Sequence, residues 1–85
     1  MRNMKAMLYG LPVRPGLWPA AMALWPGDER DVTTAAITTA RGRVRVAYYD
    51  GAGRALGCVD VPAAYLAARG HVLADGVCCE TRRDQ

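Results

Sequence analysis

The chain has 85 residues, of which 52% are hydrophobic and 22% charged, with a net charge of +3. This is enough for one modest core and argues against disorder, although alanine dominates the apolar content: there is no Phe, and Ile37 is the only isoleucine. The longest apolar stretch, Leu17 to Trp25, is interrupted by Pro19 and stopped by Pro26-Gly27, short of the roughly 20 residues of a membrane span.

At the start, Met1-Arg2-Asn3-Met4-Lys5 lacks the apolar run of a signal peptide, so a cytoplasmic location is expected. Residues 4–9 suggest a first strand, ended by Gly10, and Leu11 to Gly16 reads as turn or polyproline-like because its two prolines fix φ. The triplet Leu-Trp-Pro occurs at Leu17 and again at Leu24. Residues 19–25 read either as a short helix, with Pro19 opening Ala-Ala-Met-Ala-Leu, or as a strand. Asp28 to Asp31 is a solvated loop.

Val32 to Ala40 is Thr-rich and leans to β-structure. Arg41-Gly42 can make a two-residue turn. Arg43 to Tyr49 alternates polar and apolar, Asp50-Gly51-Ala52-Gly53 is a hairpin signal, and Arg54 to Val61 returns. In the first hairpin Thr39 should face Val44 and Ile37 face Val46. In the second, Tyr49 should face Arg54, Val46 face Gly57, Val44 face Val59 and Arg43 face Asp60. One face then collects Ile37, Val44, Val46, Tyr48, Val59 and Val61. The other carries Thr34, Thr38, Arg43, Arg45, Tyr49, Arg54 and Asp60. Pro62 and Gly70 suit the two ends of one or two helical turns. His71 to Leu73 and Val77 to Glu80 form a short hairpin or one closing strand, and residues 81–85 a frayed polar tail. The expected fold is mainly β, a single small domain over 1–85, built as an antiparallel meander or partly open barrel with one or two helical turns. An α+β fold with a short helix at 19–25 is the alternative.

The meander ending in Val61-Pro62-x-x-Tyr65-Leu66, followed by a last strand, resembles the end of an SH3-type barrel, in which a Pro-x-x-Tyr helical turn precedes the closing strand. Ala6-Met7-Leu8-Tyr9-Gly10-Leu11 echoes the Ala-Leu-Tyr-Asp-Tyr motif of that family. The acidic residue and second tyrosine of the motif are absent, and Arg41-Gly42-Arg43 stands where the family's tryptophan pair belongs. The resemblance implies an SH3-like barrel shape without polyproline recognition.

Ten of the eleven basic residues are Arg, whose planar fork serves phosphates and interfaces better than Lys does. Arg41, Arg43, Arg45 and Arg54, interleaved with Tyr49, make the leading candidate surface, followed by Trp18 and Trp25 as interface anchors or core fillers. An ordinary solvated face, with Asp60 neutralising Arg43, explains the same arginines equally well. There is no serine for His71 to activate and no P-loop, GxGxxG or HExxH. A zinc site from Cys58, His71 and Cys78-Cys79 would match no standard spacing. These three cysteines read as reduced, partly buried thiols, and Cys78 and Cys79 should not both be core because strand neighbours point to opposite faces. No catalytic residue, metal or cofactor is expected. A small non-enzymatic protein-binding module is the first expectation, an accessory or inhibitor protein of a bacterium or its mobile element, for example a phage-encoded anti-CRISPR inhibitor. Nucleic-acid binding through Arg41–Arg45 is the second. A homodimer is expected from the small core and a free sheet edge.

Overall fold

The structure, a computed structural model, describes residues 16–82; the strand expected at 4–9 and the SH3-like motif at Ala6–Leu11 lie outside them. Helix α1 spans Trp18–Leu24 and a 3-10 turn spans Glu29–Asp31. Strands β1 (Thr34–Ala40), β2 (Arg43–Tyr49) and β3 (Ala55–Pro62) follow, then helix α2 (Ala63–Ala67) and strand β4 (Gly76–Thr81). Among the described residues the strands form one antiparallel sheet in the order β3-β2-β1-β4, open rather than closed into a barrel. The fold is mainly β, and residues 19–25 take the helical reading because Pro19 presets the first turn and the alanines cost little there.

The first hairpin has the expected register. Arg41 and Gly42 both take positive φ, 54° and 76°, which is the two-residue turn whose twist matches the strands. Ile37 therefore faces Val46, and Thr39 faces Val44. The second hairpin differs by two residues: Val46 faces Val59, Val44 faces Val61, and Asp60 faces Arg45 instead of Arg43. The cause is local. The Asp50 carboxylate accepts the amides of Ala52 and Arg54, which widens the loop so that Tyr49 meets Ala55. A bulge then separates that pair from Tyr48 opposite Gly57. Two one-residue additions restore the parity, so each side chain keeps its expected face.

The inner face carries the core: Ala35, Ile37, Val44, Val46, Tyr48 and Cys78, covered by Leu17, Ala21 and Met22 of the α1 region and by Leu66 of α2. The Tyr48 hydroxyl donates to the Ala21 carbonyl at 2.6 Å, satisfying one of the carbonyls that a helix end leaves open. Trp25 rests on Tyr48 with ring centroids 4.5 Å apart and lies over Gly57, where a Cβ would come within 3.3 Å of the indole. Pro62 closes β3 and precedes α2 rather than opening the helix, and Gly70, at φ 89°, ends the following turns. Segment 71–73 is not a strand; β4 alone returns, pairing with β1 so that Cys78 faces Ile37 and Cys79 faces Ala36.

Two expectations about burial are corrected. Cys78 and Cys79 point to opposite faces, yet both are buried. Thr34, on the outer face, is 1% exposed. Alternation assigns a side chain to a face, but both faces are closed at these positions. Cys58, by contrast, is exposed.

Candidate functional site

The outer face is open along β2 and β3, and its side chains lie in rows set by the register. One row runs Asp60, Arg45, Thr38, Val77; the next runs Cys58, Ala47, Ala36, Cys79; a third brings together Tyr49 and Thr34. Arg43 stands beside Pro62 at one end, with Arg41 on the adjoining turn, and Arg54 emerges from the loop at the other. The centre is made of small side chains, with arginines on both sides and a half-buried tyrosine on one.

Two of the four arginines are braced by carboxylates. Arg45 donates from Nε and Nη2 to the two oxygens of Asp60, at 3.2 and 3.1 Å. This fork holds the Asp60 carboxyl below its ordinary value, helped by the charges of Arg45 and Arg43. Arg54 donates from Nε to Asp50 at 3.2 Å. The Asp50 carboxyl is also held low, chiefly by the Arg54 amide. Among the described residues Arg41 and Arg43 join no ion pair. Asp60 thus neutralises Arg45, not Arg43, and Tyr49 stands opposite Ala55 rather than Arg54.

The tryptophans belong to the other side of the sheet. Trp25 covers Tyr48, and Trp18 lies beneath the Arg82 guanidinium at 5.7 Å. Both are half-buried, and neither joins the arginines of the outer face. Arg82, assigned by the sequence to a polar tail, spans three segments instead. Its Nε and Nη2 donate to the Val32 carbonyl at 3.1 and 2.7 Å, Nη2 also reaches the Glu29 carbonyl, and its amide donates to Thr33 at 2.8 Å.

A pocket of about 130 Å³ lies between α2 and the segment that follows it, lined by Val44, Ala63, Leu66, His71, Val72 and Leu73. Ligand sites usually enclose about 300–1,000 Å³ with converging polar groups; this one offers a single imidazole on apolar walls. Among the described residues no cluster of His, Cys, Asp or Glu could hold a metal ion, and no helix is long and apolar enough to cross a membrane. Comparison of the chain with protein-family models, with curated proteins and with solved structures finds no match.

Proposed function

We propose that the chain is a small non-enzymatic protein-binding module that docks through the open outer face of β2 and β3. The observation that carries this reading is the bracing of Arg45 by Asp60 and of Arg54 by Asp50. A guanidinium held by a carboxylate is preorganised, so less side-chain entropy is lost when a partner covers it. The resulting platform alternates in sign around a centre of small residues, Ala47 and Cys58, with Tyr49 as its aromatic element. Arg and Tyr are enriched in protein interfaces. A polyphosphate would meet Asp50 and Asp60 as repulsive groups, which favours a protein over a nucleic acid; Arg41 and Arg43 are the residues that support the second reading. Acting without chemistry of its own, such a module works by covering a partner's surface, as an accessory or inhibitor protein of a bacterium or its mobile element does. Its SH3-like layout would be that of a recognition scaffold, since fold alone does not set function.

The double substitution Arg43→Glu with Arg45→Glu tests this. Both side chains are exposed, so the thermal midpoint should stay close to that of the parent chain. Capture of a protein from a lysate of the source organism should be lost, because reversed charges repel as well as fail to pair. Capture of the same protein by the folded variant would overturn the proposal. Binding of labelled DNA or RNA that weakens steeply with salt would replace it with the nucleic-acid reading.

A further inference from the structure

The edge of the sheet at β3 carries a second surface, adjoining the arginine face. In an antiparallel ladder each residue directs its N–H and C=O to one side. The Arg41-Gly42 turn makes Ala40 and Arg43 a hydrogen-bonded pair. Odd-numbered residues of β2 therefore bond to β1 and even-numbered ones to β3. The Ala63 amide, donating to the Gly42 carbonyl at 2.8 Å, continues the same phase. Gly57, Val59 and Val61 thus use their backbone groups on β2, whereas those of Cys58 and Asp60 point away from the sheet, and no described group occupies them.

The side chains along this edge are apolar on one side and neutralised on the other. Val59, Val61 and Trp25 are only half-buried on the inner face. On the outer face the one charge between Gly57 and Val61 is Asp60, already engaged by Arg45. Edge strands are ordinarily guarded by lysines, prolines or bulges. Here Pro62 guards one end and the bulge near Tyr49 the other, and no described strand pairs with the outer edge of 57–61 between them.

We infer that this edge pairs with the same edge of a second copy of the chain, antiparallel about a two-fold axis at Val59. The phase of the free groups allows axes at Cys58, Val59 or Asp60. An axis at Asp60 would set two carboxylates face to face, and an axis at Cys58 would oppose Asp60 to Leu56, within the bulge. Only the axis at Val59 opposes Cys58 to Asp60 twice, forming four backbone hydrogen bonds. It also opposes Val59 to its own copy and Val61 to Gly57, so that the partner's valine reaches the Gly57 site beside the Trp25 ring. Charge, hydrogen-bond phase and apolar content agree in that single register. The two arginine faces then lie on the same side of one continuous eight-stranded sheet.

Sedimentation equilibrium of the full chain tests the pairing, with twice the 9.2 kDa chain mass expected. Cys58→Pro removes an outward-facing donor and leaves the β2–β3 bonds intact, so it should weaken the dimer at least about thirtyfold while keeping the native circular dichroism. A monomeric parent chain at millimolar concentration would overturn the inference, as would a folded proline variant that still dimerises. Should the proline variant fail to fold, cross-linking decides. In a Cys58→Ser background, Val59→Cys should form a covalent dimer on oxidation, because directly opposed residues of this phase have the closest Cβ atoms, and Val61→Cys should not. Equal yields from both, or none from Val59→Cys, would sink the proposed register. The mass of the parent chain is read without any partner and with every arginine in place, so failure of this inference is distinguished from failure of the docking face.

Discussion

The Tyr48 hydroxyl reaches the Ala21 carbonyl from a side chain with no exposed surface. Burial pushes the phenol up to about 12, because the charged form would lose its water. Phe at this position fills the same space but leaves the Ala21 carbonyl without its donor, at a cost of about 1–2 kcal/mol. Chemical denaturation of Tyr48→Phe at neutral pH should show that loss. The pH dependence follows from the raised value. An unfolded tyrosine ionises near 10 and the folded one near 12, so the native state binds the extra proton between them. Stability is full below pH 10 and declines as pH rises to about 12, by roughly 2–3 kcal/mol from this group. The phenylalanine variant should lack that component of the alkaline decline.

Among the elements, the second hairpin depends on Asp50, whose carboxylate holds the amides of Ala52 and Arg54 and the Arg54 side chain. Asp50→Ala should lower the thermal midpoint by roughly 4–8 °C, and Asp50→Asn, which keeps an acceptor, by less. The contribution is full above the ordinary carboxylate value of 3.8 and is lost as pH falls through the depressed folded value; a thermal scan at pH 2 should therefore narrow the gap between parent and alanine variant. This hairpin also shows what the sequence conveys. The Arg41-Gly42 turn permits one register, so Ile37 opposite Val46 was legible. The Asp50 loop permits several, and only the side-chain bonds to Ala52 and Arg54 select among them. Alternation identified the faces of Val44, Tyr48 and Arg45 but could not show that Thr34 and Cys79 are covered. The arginine surface was legible as a set, whereas its pairing partners depended on the two-residue register difference.

At the scale of the molecule, Arg82 fastens the end of β4 to the 3-10 turn and to Trp18 of α1. Nothing in the sequence marks it, because its acceptors are backbone carbonyls, which every residue supplies. Arg82→Ala should destabilise the fold by about 2–3 kcal/mol, since hydrogen bonds from a charged donor are among the stronger ones. Arg82→Lys should recover less than half, lacking the fork that reaches two carbonyls. Urea denaturation of the two variants beside the parent measures both. The strand order has a consequence for biosynthesis. Each of the two described hairpins can close as soon as its own residues are made, but β4, which follows the other described strands in the chain, must return to β1. Arg82 then locks onto a carbonyl 50 residues earlier in the chain. Until residues 76–82 have cleared the ribosome, β1 lacks its β4 partner, and it is over that interval that the cell must keep β1 from pairing with a neighbouring chain.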